Sequence, residues 1–407
     1  MLWQPSLPER YLKMTPDALS EAITARRREL GDSVVILGHH YQTDEVIQHA
    51  DLIGDSLKLS QQAAGLVEER EKAGRDPVQN IVFCGVHFMA ETADMLTPDE
   101  ISVILPDLSA GCSMADMANH DDTVEAWETM HEALGKLGWT GRVVPITYVN
   151  STAAIKAFVG AHGGACCTSS NADVVFDWAA RGGTTPKTDR EDIKILFLPD
   201  QHLGRNTAAA YGIDVATRSV IYDPILSRRG EPLGGIEPGD LLDSSAILWA
   251  GHCSVHKLFR PEHCDEIHKA NSDLPEGAEP VQILVHPECP KEVVDRSDLA
   301  GSTEFILSTI QDAPKGSRWA VGTEHNLVSR LRIESAARGV EVRILSDCQC
   351  LCTTMARIDQ PHLLWVLDRL AEKPEEPTGN EIRVHPEVRA DAVRALDRML
   401  ELVSASV

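Results

Sequence analysis

Three stretches of the chain repeat one pattern, in which two apolar runs are followed by a third run that delivers a cysteine. The repeats end on Cys112, on Cys253 and near Cys352. Their runs are short, rich in Val, Ile and Leu, and nearly continuous in apolar character, as in parallel strands that are buried on both faces. Amphipathic segments of helical length lie between the runs. This alternation predicts an α/β fold with short parallel sheets and an internal threefold repeat.

The three matched cysteines favour a metal cluster over an ordinary core. Three thiolates can hold three irons of a cubane and leave the fourth iron open as a Lewis acid. An apparent helix, SMADMAN, follows Cys112, and a helix N-terminus stabilises a thiolate. The third ligand is open among Cys348, Cys350 and Cys352. We favour Cys352, because it heads a segment that continues into a helix.

Two other interpretations of the cysteines compete with this one. A single cysteine is commonly a small buried hydrophobe. We expect this role for the cysteines that lack a repeat-equivalent partner, which are Cys84, Cys166, Cys167, Cys264 and Cys289. Zinc is the rival metal, but structural zinc sites usually show paired Cys-x2–4-Cys knuckles, and that paired arrangement is absent from this sequence.

Polar residues follow the predicted strands, and in parallel α/β sheets functional groups collect beyond the carboxyl ends of strands. His39, Tyr41, His286 and Glu288 stand at such positions and offer acid–base groups. A lone histidine is more often structural. The occurrence of two histidines, a tyrosine and a glutamate together at strand ends is what favours a functional site.

Two short motifs, Gly54-Asp55-Ser56 and Gly301-Ser302-Thr303, precede predicted helices. Hydroxyl and backbone N–H groups there suit a carboxylate or phosphate. The plain alternative is that both motifs are helix N-caps.

Composition narrows the class of protein. The 407 residues carry a formal net charge of −24, and 43% are hydrophobic and 25% charged. This is typical of a soluble globular protein, and the acidic balance argues against nucleic acid or a membrane as a partner. No apolar run approaches the roughly 20 residues that span a bilayer, and the N-terminus has no apolar signal core. We expect a cytoplasmic protein whose ten cysteines are free, catalytic or metal-bound.

The polar linkers predict the domain organisation. We expect an N-terminal helical segment that opens at Thr15-Pro16-Asp17 and a C-terminal helix that begins at Pro386. Segments near residues 181 and 227 resemble surface insertions. The predicted ranges are 1–30 for the N-terminal segment, 31–140, 141–265 and 266–370 for three αβα domains, and 371–407 for the C-terminal linker and helix.

Strings along most of the chain resemble the quinolinate synthase family. They occur in the family's order between about residue 33 and residue 370, and they are GHHYQ, GDSL, GVHFMAETA, GCSMAD, YVNSTA, CTSSNA, LPDQHLG, GHCSVH, HPEC, GST, GTEHN and CxxM at Cys352. Singly each string is weak evidence, whereas jointly they are highly specific.

The resemblance implies three Rossmann-like αβα domains in a pseudo-threefold arrangement around a central cavity. It implies a [4Fe-4S] cluster on Cys112, Cys253 and Cys352 with one open iron, and condensation of iminoaspartate with dihydroxyacetone phosphate to quinolinate, phosphate and water. An aspartate-oxidising enzyme would supply the imine. The implied substrate contacts are His39, Ser56, Tyr148, Asn150, Ser169, His286, Glu288 and Thr303.

The residues agree with that chemistry. Strand-end hydroxyl, amide and histidine donors suit carboxylate and phosphate oxygens, and Tyr41, His286 and Glu288 are candidate catalytic residues that move protons during isomerisation and dehydration. One departure is the Cys348-x-Cys350-x-Cys352 spacing, which is tighter than the Cys-x-x-Cys-x-x-Cys of some members. A redox disulfide of that form is therefore not expected.

Two alternatives remain open from the sequence. A diphthamide-synthesis-type iron–sulfur enzyme also draws one cysteine from each of three similar domains. An iron–sulfur sensor would need a basic or exposed apolar surface, and this chain is acidic with only 5% aromatic residues. The small polar strand-end motifs favour a small dianionic substrate.

Overall fold

The computed structural model describes residues 4–74, 76–189, 191–347, 349–372 and 379–406. Cys348, one of the candidate ligands, lies outside them. The chain forms two compact units. The first unit comprises Met1–Cys112, Glu324–Arg330 and Leu351–His385, and the second unit comprises Ser113–Thr323, Leu331–Cys350 and Pro386–Val407.

The described residues form short strands with helices between them. The strands are β1 Val34–His39, β2 Leu52–Gly54, β3 Asn80–Cys84, β4 Ser102–Ile104, β5 Arg142–Tyr148, β6 Ala165–Cys167, β7 Ile193–Leu198, β8 Ser219–Tyr222, β9 Ala246–Trp249, β10 Val281–Val285, β11 Leu299–Ala300, β12 Arg318–Gly322, β13 Glu341–Ile344 and β14 Glu381–Ile382.

The helices are α1 Glu9–Leu12, α2 Pro16–Leu30, α3 Asp44–Ile47, α4 Ser56–Lys72, α5 His87–Leu96, α6 Ser113–Asp116, α7 His120–Lys136, α8 Ala153–Ala161, α9 Ala172–Ala180, α10 Gln201–Tyr211, α11 Pro224–Arg228, α12 Pro238–Asp243, α13 Pro261–Ser272, α14 Lys291–Val294, α15 Thr303–Gln311, α16 His325–Ala336, α17 Gln360–Glu372 and α18 Pro386–Ser406. Within the described residues, no helix is both long enough and apolar enough to cross a membrane.

The strands assemble into three sheets that share one core order. The first unit contains the sheet β14-β4-β3-β1-β2, and the second unit contains β6-β5-β7-β9-β8 and β11-β10-β12-β13. In each sheet the first strand in the chain lies between the second and the third. The third is followed by the fourth, β4 or β13, in two of the sheets, whereas β7 is followed by β9, with β8 at the outer edge. The pairing is parallel except at β14, which runs antiparallel to β4. The predicted α/β fold of three Rossmann-like units is confirmed; the pseudo-threefold arrangement and the domain ranges stay predictions.

Burial explains why these runs become strands. The burial pattern is continuous along β1 and β7, whose side chains are buried on both faces of their sheets. Branched residues in such runs favour extended backbone, since they pack well on a pleated surface. The strand register sets matching carboxyl ends, with Val285 of β10 opposite Gly322 of β12.

Both terminal helices begin where the sequence predicted. In α2, Thr15 is the N-cap, its side chain accepts from the backbone N–H of Ala18 (3.3 Å), and Pro16 occupies the first turn. The helix α18 begins at Pro386 and packs against α8 in the second unit.

The contact between α8 and α18 depends on a glycine. A Cβ atom on Gly160 would lie 1.9 Å from the backbone oxygen of Asp391, so the two backbones approach closely only because no side chain intervenes. Arg398 then donates from Nη1 to the carbonyls of Gly160 (3.0 Å) and Gly164 (2.6 Å). These bonds satisfy carbonyl groups at the end of α8 and fix the C-terminal helix in place.

Candidate active site

A pair of buried ionisable groups lies beyond the strand ends of the second unit. Nδ1 of His256 lies 2.6 Å from Oε2 of Glu288, and Nε2 of His256 lies 3.1 Å from the hydroxyl of Thr323. His256 follows β9, Glu288 follows β10, and Thr323 follows β12. The cluster therefore lies beyond β10 and β12, neighbouring strands where this sheet order places ligand sites.

His286 completes this cluster. Its ring stacks on that of His256, with centroids 4.5 Å apart and planes 18° apart. The Glu288 backbone N–H donates to Nδ1 of His286 (3.3 Å). All three residues of the cluster are buried, and none is more than 3% exposed: His256, His286 and Glu288. A buried carboxylate of this kind is stable only when it is paired and hydrogen-bonded.

Glu288 and His286 lie in the same loop after β10, and their surroundings favour opposite charge states. Burial alone raises the pKa of Glu288, but attraction to His256 and His286 and hydrogen bonds from His256 and Tyr148 outweigh it and lower that pKa to about 2. Burial lowers the pKa of His286 to about 3, although Glu288 opposes the shift. Glu288 is thus ionised and His286 neutral at neutral pH.

A second buried carboxyl, Asp200, differs from Glu288. Asp200 caps α10, and its Oδ1 accepts from the backbone N–H groups of His202 (2.7 Å) and Leu203 (3.0 Å). Burial first, and then the charge of Glu288, raise the pKa of Asp200 well above its ordinary value despite these bonds. Two neighbouring carboxyls whose pKa values are pushed apart are suited to separate acid and base roles.

Cys253 lies beside the pair. Its Sγ, a ring nitrogen of His256 and a carboxylate oxygen of Glu288 all lie within 4.8 Å of one another. A single cation on these three residues would compete with the observed bonds, because both ring nitrogens of His256 already have partners. The arrangement is better described as a hydrogen-bonded histidine–carboxylate pair that adjoins a thiol.

Of the predicted substrate contacts, Tyr148 is the last residue of β5 and Asn150 follows that strand. Ser151 donates from Oγ to the Tyr148 carbonyl (2.8 Å), and Thr152 caps α8 by accepting from the Ile155 N–H (3.4 Å). These bonds fix the turn, and the Tyr148 hydroxyl contacts Glu288. The structure therefore brings Tyr148 together with His286 and Glu288.

Ser169 lines a separate feature of the second unit, a cleft of about 460 Å³. The cleft also includes Asn206, Pro287 and Ser302. Ser302 is the N-cap of α15 and accepts from the Phe305 N–H (3.3 Å). The plain cap interpretation thus holds for Ser302, and the adjacent Thr303 is buried at 7% exposure.

The first unit holds the remaining predicted site residues. His39 ends β1 and is buried, and the half-buried ring of Tyr41 meets it edge to face with centroids 4.7 Å apart. The Tyr41 N–H donates to Nδ1 of His39 (3.1 Å). Ser56 begins α4 and is buried, and Asp55 caps that helix through the Lys58 N–H (2.9 Å).

Glu324, a residue given no role from the sequence, adjoins a predicted ligand. Its Oε1 accepts from the backbone N–H of Cys352 (3.4 Å), and Oε2 accepts from those of Asn326 (2.7 Å) and Leu327 (3.2 Å). Burial raises the pKa of Glu324 to about 7 in spite of these bonds. His256 was likewise missed, although the spacing Cys253-x-x-His256 marks it as a residue one helical turn beyond a ligand.

Accessibility sorts the nine described cysteines. All are free thiols, and the three that are half-buried are Cys112, Cys253 and Cys352, whereas Cys84, Cys166, Cys167, Cys264, Cys289 and Cys350 are fully buried. Burial raises the pKa of Cys84 and of Cys166 to about 12, which keeps these thiols protonated. Cys350 contacts the Ser346 hydroxyl (3.1 Å) inside the core.

Two of the half-buried cysteines share a backbone geometry. The Lys257 N–H donates to the Cys253 carbonyl (3.2 Å), and the Ala356 N–H donates to the Cys352 carbonyl (3.0 Å). In both places one turn of 3₁₀ helix begins three residues after the cysteine. The repeat therefore extends to the loop that presents the thiol.

The helix predicted directly after Cys112 is a correction, because only the single turn Ser113–Asp116 forms there. Single 3₁₀ turns also come first after Cys253, at His256–Leu258, and after Cys352, at Met355–Arg357, and the segment after Cys352 then continues into α17 as predicted. A macrodipole of the expected size needs a longer run of aligned peptide units, so it does not stabilise these thiolates.

Comparison with known proteins agrees with the motifs. The family model described as Quinolinate synthetase A protein matches residues 21–401. A quinolinate synthase from Nocardioides sp. is 49% identical over 392 residues, which cover 96% of this chain and 90% of that protein. The chain belongs to the quinolinate synthase family.

Other quinolinate synthases match to a similar extent. That of Streptomyces coelicolor is 47% identical over 388 residues, covering 95% of this chain and 89% of the relative. The quinolinate synthase of Bacillus velezensis is 47% identical over 394 residues, which cover 97% of this chain and 96% of that protein. The predicted membership of this enzyme family is confirmed, and the roles of individual residues stay predictions.

Proposed function

We propose that this chain is a quinolinate synthase, which condenses iminoaspartate with dihydroxyacetone phosphate to give quinolinate, phosphate and water. The observation that carries the proposal is the sorting of the cysteines. The three at matched places in the repeats are the three half-buried ones among the described residues. A chain that used its cysteines only as core would have no reason to expose this set.

Cys112, Cys253 and Cys352 fit a [4Fe-4S] cluster by the chemistry of their donors. Thiolate sulfur is the ligand that iron–sulfur clusters prefer, and three thiolates leave one iron open. The matched loops at Cys253 and Cys352 favour Cys352 over Cys350, whose thiol is fully buried. When bound, such a cluster supplies a Lewis acid that helps a hydroxyl group depart as water.

The substrates are dianionic or nearly so, and the proposed contacts offer hydrogen-bond donors, mostly hydroxyl and amide groups, for their oxygens. Tyr148, Asn150, Ser169 and Thr303 of the second unit provide hydroxyl and amide groups, and His39 and Ser56 of the first unit provide imidazole and hydroxyl groups. Neutral donors bind carboxylate and phosphate without adding buried charge that would persist after product release.

Proton transfer is assigned to the groups around Glu288. An ionised Glu288 accepts a proton that reaches it through Nδ1 of His256. Neutral His286 accepts from the Glu288 N–H at Nδ1, so its Nε2 carries the proton and can donate it in a hydrogen bond. Tyr41 lies beside His39 at the end of β1 and supplies a further hydroxyl. Condensation requires proton removal from carbon and proton delivery to a leaving hydroxyl, and a base and acid held apart in pKa serve these two needs.

The reaction also implies a supplier. Iminoaspartate hydrolyses in water, so an enzyme that oxidises aspartate to the imine is the expected source of this substrate. A cytoplasmic location stays a prediction and agrees with a reducing compartment, in which cysteine ligands remain thiols.

The test is anaerobic turnover by the protein with its cluster reconstituted. Aspartate-derived imine and dihydroxyacetone phosphate should yield quinolinate, detected by mass, with phosphate released in equal amount. Absence of quinolinate with an intact cluster contradicts the proposal. Cleavage of S-adenosylmethionine would instead indicate a diphthamide-type enzyme, and a cluster spectrum that ignores every dicarboxylate would indicate a sensor.

A further inference from the structure

Asn206 of α10 makes two hydrogen bonds to the loop that carries Glu288. Its Nδ2 donates to the carbonyl of Pro287 (2.8 Å) and to the carbonyl of Cys289 (3.0 Å). These two carbonyls flank Glu288 in sequence. One carboxamide therefore holds the backbone on both sides of the buried carboxylate.

The chemistry of the two partners fixes the orientation of the amide. Carbonyl oxygens only accept hydrogen bonds, and of the two ends of a carboxamide only the NH₂ group can donate, with two hydrogens. An oxygen in its place would lie about 3 Å from two other oxygens without a proton between them. The contact thus requires Asn and excludes Asp, although the two side chains have the same shape.

The held loop is short and carries the central groups of the site. The His286 N–H bonds to the Gly322 carbonyl (3.1 Å), the Cys289 N–H bonds to the His286 carbonyl (3.0 Å), and the Glu288 N–H bonds to Nδ1 of His286 (3.3 Å). The backbone donors of the loop thus bond within the loop or to β12. The bonds from Asn206 add an anchor from a different element, α10, whose cap is Asp200.

We propose that Asn206 is a positioning residue that holds residues 286–289 so that the Glu288 carboxylate meets His256 at 2.6 Å. Asn206 does not itself bond to His256, His286 or the carboxylate of Glu288; it acts through the backbone. Its effect on turnover rests on the function proposed above, whereas its effect on the loop does not.

Asn271 supplies a matched control at the other end of the same strand. Its Nδ2 donates to the Val281 carbonyl (2.8 Å), and its Oδ1 accepts from the Val281 N–H (2.9 Å). Val281 begins β10, and His286 directly follows the end of that strand. Replacing Asn271 with Asp removes one backbone bond from β10 on the side away from Glu288.

The experiment compares Asn206→Asp and Asn206→Ala with Asn271→Asp in the full chain with its cluster. Hydrogen exchange, read by mass spectrometry on peptides that cover residues 284–290, reports the loop directly. Steady-state kinetics report kcat and KM, and melting temperature reports global stability. Asn206→Ala removes the two donors without adding charge, so it serves if the Asp variant does not fold.

We expect both Asn206 variants to exchange faster over residues 286–289, with kcat reduced by roughly 10²-fold, the cost of a small misplacement of catalytic groups. Asn271→Asp should lower the melting temperature while leaving kcat and the exchange of that loop unchanged. Unchanged exchange over 286–289 in the Asn206 variants would overturn the proposal, as would faster exchange with wild-type kcat. If the wild-type chain makes no quinolinate, the proposed function fails, and the exchange comparison alone decides the role of Asn206.

Discussion

Oε2 of Glu288 lies 2.6 Å from Nδ1 of His256, and the other ring nitrogen of that histidine lies 3.1 Å from the hydroxyl of Thr323. These three residues follow three different strands of the second unit, so the contact joins separate strand ends. The contact is also fully buried, and so its partners depend on each other for stability as well as for chemistry.

Removing one partner of this pair should cost more stability than removing both. His256→Ala leaves the Glu288 carboxylate buried with less compensation, and the free energy of unfolding should fall by about 3–5 kcal/mol. Adding Glu288→Gln removes the charge and should restore part of the loss. Urea unfolding at pH 7 measures both variants. If the double variant is as unstable as the sum of the single variants, the pair contributes no coupling.

Acid should weaken the fold in two stages that the pKa shifts define. The pKa of His286 falls from 6.5 to about 3 in the folded protein, so the unfolded chain binds the extra proton between these values and stability falls as the pH drops below 6.5. The lowered pKa of Glu288 adds a loss only below about 4.5. Between pH 7 and pH 5 the His286→Gln variant should therefore lose less stability than the wild type. Equal losses in both proteins, measured by urea midpoint, would remove His286 from this effect.

Iron content should follow the half-buried cysteines. Replacing Cys112, Cys253 or Cys352 with Ser should abolish the cluster, because two thiolates no longer hold it. Cys84→Ser and Cys264→Ser are controls that should keep iron and sulfide. Cys350→Ser should also keep them, since that thiol is buried against Ser346. Iron that survives loss of Cys352 and disappears with Cys350 would show that the third ligand is wrong.

Turnover should depend on the hydroxyl of Tyr41. Tyr41→Phe keeps the ring that meets His39 and removes the oxygen, so we expect turnover to fall by about 10²–10⁴-fold if that hydroxyl transfers a proton. The cluster spectrum should stay intact. Tyr211→Phe, at an exposed position, is the control. Near-normal turnover in Tyr41→Phe would exclude this role.

The glycine in α8 should be intolerant of a side chain. Gly160→Ala places a methyl group against the Asp391 carbonyl, and α18 has to shift, at an expected cost of about 1–3 kcal/mol. Gly65→Ala is the matched control, because that helical glycine has open space around its Cβ position, and there the exchange should stabilise by about 0.5–1 kcal/mol. Thermal melting of the two variants in parallel measures the contrast.

Runs of apolar residues, together with capping residues and prolines at helix starts, were enough to predict the main elements of the fold. Thr15-Pro16 marks the start of α2 and Pro386 the start of α18, because a capping hydroxyl and a fixed proline φ act locally. The strands follow from continuous apolar runs. The single turns after the cysteines were not predictable, since the tertiary fold rather than helix propensity decides where so short an element ends.

The sequence predicted those site residues that recur at matched places in the repeats. It did not predict those that come together only through tertiary contacts. Cys253 stands out by its place in a repeat, whereas the role of His256 becomes clear from its bond to Glu288, which lies in another part of the sequence. Glu324 and Asp200 are similar cases, because their pKa shifts arise from burial that no local pattern encodes. Asn206 lies two residues beyond the LPDQHLG string, and its two carbonyl partners are visible only in three dimensions.

The antiparallel strand β14 has a consequence for synthesis on the ribosome. It pairs with β4, and its Ile382 lies opposite Val103, so the edge of the first sheet is closed by a segment made only after β13 of the second unit. Until then the nascent chain carries an open edge on β4, and open edges recruit other strands. The first unit therefore cannot mature ahead of the second during translation. We expect chains that terminate before residue 380 to accumulate as aggregates or to require chaperones, even though such chains retain all three proposed iron ligands.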